Sequence, residues 1–282
     1  MNAAAHAAGE RPGAMDAARI AALSQSARDG LAKVEVVRET GSTNADLLAR
    51  AAGSCGPQLS GPLLLAAEHQ SAGRGRAGRS WLSAPGHSLT FSLAWKFDGG
   101  LQRLSGLPLA VGVALAETLD RLGQPVRLKW PNDLLKDGDK LAGILVETQR
   151  AAGPAGDATW AIVGIGLNLA MPDELEARIG RSVAAVPWLA RMDRDALVAA
   201  ILDGLVASLQ QFAQAGFAAF GARWNLLHGW QGEPVAVLDH GKILHEGLAA
   251  GVDDAGRLLL DGEHGRIAIA AGDVSLRMQA AD

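Results

Sequence analysis

Three arginines, Arg74, Arg76 and Arg79, fall within the twelve-residue stretch His69-Gln70-Ser71-Ala72-Gly73-Arg74-Gly75-Arg76-Ala77-Gly78-Arg79-Ser80. Guanidinium groups are permanent cations whose planar forks match carboxylate and phosphate oxygens. The interleaved Gly73, Gly75 and Gly78 let backbone N–H groups turn toward an anion. The stretch has no apolar period, so it reads as a polar loop that orders when an anionic ligand supplies partners. Taken alone it fits equally a solvated surface loop or an arginine–glycine contact to RNA.

Other segments carry chemistry of the same kind. Lys129-Trp130-Pro131-Asn132-Asp133 ends a strand with an amide and a carboxylate at its tip. Asp133 there could help hold Mg²⁺, contact a nucleotide or steer an amine, and Asn-Asp after proline is also ordinary turn chemistry. Lys140 opens an apolar strand, and by alternation it shares a face with Ala142. From there a lysine can bridge a carboxylate to a phosphate, or merely guard a strand end. Ile162, Gly164, Gly166 and Asn168 fall on one side of another strand. Two glycines and an amide on one face predict that something approaches the backbone closely, or that the strand bulges. In Gly41-Ser42-Thr43-Asn44, a hydroxyl can cap the helix that follows.

These segments need a scaffold, and periodicity supplies one. Strands are predicted at 34–37, 63–68, 89–95, 126–130, 141–147 and 160–169. Leu107, Val111, Leu115, Leu119 and Leu122 mark a helix stopped by Gly123 and Pro125. Residues 171–192 read as irregular. Asp193 opens a long helix through Phe212, and 217–227 reads as a second one. From Glu233 onward, short strands at 235–238, 243–250, 258–260, 267–270 and 274–276 alternate with Asp/Gly turns, the pattern of a small barrel. Residues 1–13 read as a disordered tail and 14–29 as a short helix, together a flexible extension over 1–30. Residues 31–229 then form the main domain and 230–282 a small β domain.

Composition sets the outer bounds. The 282 residues are 49% hydrophobic and 20% charged, ample for one large domain and a smaller one. A net charge of −4 and the absence of tyrosine argue against a general nucleic-acid binder, which favours a basic surface and stacking aromatics. Cys55 is the sole cysteine, so no intramolecular disulfide or multi-cysteine metal site forms. No apolar run approaches the roughly 18 residues of a membrane span, and no hydrophobic signal region opens the chain. A cytoplasmic protein with no membrane contact is expected.

In order along the chain, Gly41 to Asn44, Gln70 to Arg79 with Trp81, Lys129 to Asp133, Lys140 to Glu147 and Gly164 to Asn168 resemble the motifs of the biotin–protein ligase family, over about residues 34–282. Each motif alone is weak or moderate; five in the right order are specific. The resemblance implies an α/β (α+β) fold, a mixed sheet flanked by helices like that of class II aminoacyl-tRNA synthetases, followed by an SH3-like β-barrel. It implies that Ser42, Thr43 and Asn44 line a biotin pocket, and that Gln70, Arg74, Gly75 and Arg76 belong to a loop closing over biotin and its adenylate. Trp81 would shelter the pocket, with Gly143, Gly164 and Gly166 among its walls and floor. Lys140 would sit near the biotin carboxyl and the α-phosphate. Arg76, Arg79, Trp81, Asn132, Asp133, Lys140 and Asn168 would face the nucleotide, and Arg76, Lys140 and Asp133 would carry the chemistry. Substrates would be biotin and ATP with Mg²⁺, without a permanent metal site on the protein, and the acceptor would be a lysine of a biotin carboxyl carrier protein. The segment before Val34 is too short for the winged helix of many relatives, so no DNA binding is expected. A homodimer through the catalytic sheet is left open. The nearest alternative is a lipoate–protein ligase, which shares the adenylation logic.

Overall fold

The structure, a computed structural model, describes residues 14–151, 158–179, 182–272 and 274–279. It begins with α1 (Ala17–Leu23) and α2 (Gln25–Arg28), each opened by a side-chain cap: Asp16 accepts from the Arg19 N–H and Ser24 from that of Ala27. Ile20 and Ser24 are fully buried. Residues 14–29, read in the sequence as one short helix, form these two short helices, which pack against α7 (Arg194–Ala215); residues 1–13 lie outside the described residues.

There follow β1 (Lys33–Thr40), α3 (Thr43–Ala52), β2 (Leu63–Gln70), β3 (Ser88–Asp98), α4 (Leu107–Arg121), β4 (Arg127–Lys129), β5 (Asp133–Lys136), β6 (Asp139–Arg150) and β7 (Ala158–Asn168). The seven strands make one mixed sheet in the order β1-β2-β3-β7-β6-β5-β4, in which β1 and β2 are parallel and every other pair is antiparallel. Sequence reading missed β5. Asp133 was expected in a turn, yet Asp133 to Lys136 returns alongside β4 and β6.

Alternation in β7 sorts its residues between two cores. Ala161, Val163, Ile165 and Leu167 join the main core. Ile162 joins a smaller one with Leu47, Ala51, Leu65 and Ala94 beneath α3. The main core is closed by α4 and by α7 (Arg194–Ala215), which pack against each other and against the sheet. By length and composition α7 could cross a membrane, but half of its apolar window is buried here, against α4 and α1. No run of spanning length was expected because the apolar stretch breaks at Asp203; averaged along a helix, that break disappears.

Between β7 and α7 lie α5 (Asp173–Ile179) and α6 (Pro187–Arg191), where no regular structure was expected. Each is too short to show a full amphipathic period. After α7 comes α8 (Gly221–Leu227), then a five-stranded antiparallel sheet of β8 (Pro234–Asp239), β9 (Lys242–Val252), β10 (Leu258–Gly262), β11 (Gly265–Ile269) and β12 (Val274–Met278), ordered β11-β10-β9-β8-β12. Its inner residues Val235, Val237, Leu258 and Leu260 continue the main core through Trp224. The Trp130 indole donates to the Gly256 carbonyl at 3.2 Å, and the Lys129 ammonium lies 4.4 Å from the Trp230 ring centre. The end of β4 is thereby fixed against the second sheet.

Candidate active site

The face of the large sheet under α3 carries the site. There β3 and β7 pair with Ser92 opposite Gly164 and Thr90 opposite Gly166, while Gly143 of β6 pairs with Gly166. β7 keeps unbroken register with both neighbours, so the bulge alternative is excluded. Close approach is the reason for the glycines. A Cβ on Gly164 would fall 2.3 Å from Asn44 Oδ1, and one on Gly166 would fall 2.2 Å from Trp81 Cε2.

A cavity of about 110 Å³ opens above this floor. Every residue predicted to bind ligand lines it except Asn168. Asn168 donates instead to the carbonyls of Ala184 and Lys140, at 3.2 and 3.5 Å, tying the segment beyond α5 to the sheet. It borders a second cavity of about 380 Å³ that adjoins the first and shares Arg79, Ser80, Trp81 and Lys140 with it. That second cavity also carries Arg178 and Arg277, and among the described residues no acidic one lines it. Arg178 was missed because the helix that carries it is too short for its period to show.

One wall of the first cavity is a chain of polar contacts. Gln70 Oε1 accepts from the Thr43 backbone N–H at 2.8 Å and from the Thr43 hydroxyl at 3.1 Å. Thr43 Oγ1 is 2.6 Å from Ser92 Oγ, which donates to Asn44 Oδ1 at 2.6 Å. Asn44 Nδ2 donates to Glu147 Oε2 at 2.9 Å and to the Leu145 carbonyl at 3.3 Å. Ser42 caps α3 by accepting from the Ala45 N–H. Thr43, Asn44 and Ser92 are all almost fully buried. Ser92 and Glu147 were absent from the predicted site; their strands read only as alternation, and nothing local marks which polar residue faces a ligand.

The arginine loop crosses the cavity mouth. The backbone of Gly75 bonds that of Arg79, and Trp81 N–H bonds the Gly73 carbonyl, so the loop folds as a tight return. Arg74 pairs with Glu147 Oε1 at 2.7 Å. Arg76 donates to Asn132 Oδ1 at 3.1 Å and to the Gly272 carbonyl in the turn between β11 and β12. Asn132 is itself held by its amide on the Ile144 carbonyl at 2.8 Å. Trp81 stands between the two cavities, its Nε1 buried without a hydrogen-bond partner.

Lys140 occupies the junction of the two cavities. Its ammonium pairs with Asp133 Oδ1 at 2.5 Å and lies 5.8 Å from the Trp81 ring centre. The expected alternation with Ala142 is corrected. β5 and β6 shift register between Leu134 and Leu135, skipping Leu141, so the lysine reaches the side of Gly143, whose Cβ direction points at Lys140 Nζ 3.1 Å away. Among the described residues no group of three or more His, Cys, Asp or Glu side chains could hold a metal ion. Among the described residues, Asp133 is the one carboxylate lining the first cavity.

Comparison with known proteins agrees with this geometry. Residues 55–168 match the Biotin/lipoate A/B protein ligase family, and residues 232–277 match the Biotin protein ligase C terminal domain. The chain is 38% identical over 251 residues to the bifunctional ligase/repressor BirA of Escherichia coli, covering 86% of this chain and 74% of that protein. It is 35% identical over 258 residues to the biotin–[acetyl-CoA-carboxylase] ligase of Mycobacterium tuberculosis, covering 88% and 90%. Among solved structures, the biotin protein ligase of Aquifex aeolicus in complex with biotin and ATP superposes with a TM-score of 0.69 at 26% identity, covering 87% of this chain and 99% of that one. With these relatives matched across most of both lengths, the chain belongs to the biotin protein ligase family.

Proposed function

We propose that the protein activates biotin with ATP to form biotinyl-5′-AMP and pyrophosphate, and then transfers the biotinyl group to a lysine of a biotin carboxyl carrier protein. The observation that carries this reading is the pair of cavities meeting at Lys140, one with a neutral polar wall, the other lined by arginines and, among the described residues, by no carboxylate. The first suits a small uncharged ring system with donors and acceptors. The second suits polyphosphate.

In the first step a carboxylate oxygen of biotin bonds to the α-phosphorus of ATP and the bond to pyrophosphate breaks. Two anions must be pressed together, so cations fixed beforehand at the meeting point lower the barrier most. Lys140, Arg76 and Arg79 supply that field. Asp133 holds the lysine in place, and Mg²⁺ arriving on the nucleotide would add charge at the phosphates. Among the described residues, Asp133 is the carboxylate lining the first cavity and Lys140 pairs with it, so a Mg²⁺ ion would be held chiefly by the phosphates of the nucleotide. In the second step the carrier amine attacks the acyl carbon and AMP leaves. The mixed anhydride is open to hydrolysis, and the Arg74-to-Arg79 loop with Trp81 excludes water from it.

Residues 31–229 are the catalytic unit in this reading, similar to class II aminoacyl-tRNA synthetases, and 230–282 form an SH3-like barrel that lends Arg277 to the nucleotide. The dependence on ATP implies a cytoplasmic enzyme. The test is to incubate the protein with biotin, ATP, Mg²⁺ and a carrier domain and to weigh the carrier. One added biotinyl group is expected. No mass gain with biotin, or a gain with lipoate instead, overturns the assignment.

A further inference from the structure

Glu147 does not line the biotin cavity, yet it touches both the cavity wall and the loop that closes it. One carboxylate oxygen takes Arg74 and the other takes Asn44 Nδ2. Its side chain is 21% exposed, behind the wall. This inference rests on the biotin reading above and asks what makes the wall specific.

A carboxylate only accepts hydrogen bonds. With Glu147 and the Leu145 carbonyl both accepting on one side of Asn44, the Asn44 amide must turn its NH₂ toward them, and Oδ1 toward Ser92. Ser92 has one hydroxyl proton, and Asn44 Oδ1 takes it. Thr43 Oγ1 lies 2.6 Å from Ser92 Oγ and donates to Gln70 Oε1 at 3.1 Å, which also accepts the Thr43 backbone N–H at 2.8 Å. The acceptor-only carboxylate thereby fixes the bonds from Asn44 to Ser92, and leaves the second lone pair of Asn44 Oδ1 as an acceptor for the cavity.

We propose that Glu147 is a positioning residue that, without touching biotin, sets this hydrogen-bond direction so that the wall offers an acceptor to an N–H group of the ureido ring. The same carboxylate anchors Arg74, so wall polarity and loop closure share one group.

Glu147→Gln keeps shape and one acceptor but can present NH₂ to Asn44, so it no longer enforces the direction. Biotin affinity by calorimetry should weaken about tenfold, the effect of one buried hydrogen bond to a charged group. The maximal rate of biotin-dependent pyrophosphate–ATP exchange should fall less than about threefold, because the cations at Lys140 are untouched. Ser92→Ala cuts the same chain at its middle and should weaken biotin similarly. The double variant should be little worse than either single one, since both act through one relay. Unchanged biotin affinity in Glu147→Gln overturns the proposal, as do additive losses in the double variant. A lowered melting temperature with normal affinity would mark Glu147 as merely structural and overturns it as well. Should Glu147→Gln fail to fold, Ser92→Ala decides alone, by weaker biotin binding with an unchanged melting temperature or by unchanged affinity. Wild-type protein that binds no biotin removes the reading of the pocket itself, a failure distinct from that of the relay.

Discussion

Trp81 lies on the backbone of Gly166, so close that a Cβ on that glycine would sit 2.2 Å from the indole Cε2. The ring also roofs Gly143, whose Cβ direction points at Trp81 Cζ3 at 3.2 Å. The indole and two glycines thus form one packed unit at the junction of the two cavities, and the ring position is set by residues with no side chain at all.

Gly166→Ala should displace Trp81 and open the partition. The overpacking penalty is about 1–3 kcal/mol if the ring stays, and the ring shifts instead if that is cheaper. The expected outcome is at least a tenfold rise in the KM for biotin, with a shifted tryptophan emission maximum. An alanine enzyme with wild-type KM and emission would show that the contact does not shape the site.

Arg76 spans three parts of the molecule: the loop that carries it, Asn132 beyond β4, and the Gly272 carbonyl in the turn between β11 and β12. Closure of the loop is thereby coupled to the second sheet. Arg76→Ala should speed escape of biotinyl-adenylate by about 10- to 100-fold, the worth of one or two charge-assisted hydrogen bonds. Release of pre-formed adenylate, followed by filtration or stopped flow, checks it. Retention equal to wild type would leave the arginine without a part in closure.

The arginine loop, the Ser-Thr-Asn turn and the glycine face were legible in the sequence because each is local. Glycines at 164 and 166 announce a close approach whatever approaches them. Lys140 stood out by its place at the start of an apolar strand, but its face was misread, since the shift around Leu141 breaks a strict two-residue period and only pairing with β5 reveals it. Glu147 stood inside a recognised motif and still gave no signal, because its partners Asn44 and Arg74 are 103 and 73 residues away. The same holds for Arg178, on a helix too short for its period to show. Sequence pattern reports what repeats nearby; a site assembled from five strands and two loops is fixed by pairing register.

Lys140→Ala removes the cation at the meeting point and strands Asp133 without its partner. Adenylate formation should fall by about 10²- to 10³-fold, the usual loss for one preorganised stabilising group. Transfer from supplied biotinyl-adenylate to the carrier should fall far less, which separates the two half-reactions. Equal losses in both would mean that the lysine maintains the site rather than serving the first step. Asp133→Asn is the companion variant, with the lysine retained but its anchor neutralised, and should show a milder loss in the same half-reaction.

Asp203 of α7 tests the docking of the N-terminal helices. It accepts from the Ser24 hydroxyl at 2.7 Å and from the backbone N–H groups of Ser26 and Gln25 at 2.8 and 3.1 Å. Partial burial works to raise its carboxyl, but these hydrogen bonds outweigh it and hold the group below its ordinary value of 3.8. A carboxylate whose pKa is lowered by folding stabilises the folded state fully above the unfolded value, and that contribution is lost as pH falls through the folded value. Asp203→Asn should therefore cost about 1–2 kcal/mol at neutral pH, discounted for the solvent exposure of the group. The gap between variant and wild type should begin to narrow below about pH 4, where the unfolded carboxyl protonates, and should close only as pH falls through the lower folded value. Urea unfolding followed from neutral pH down into strong acid reads both. A gap that persists unchanged into acid would mean that the charge of Asp203 plays no part in holding the two helices on α7.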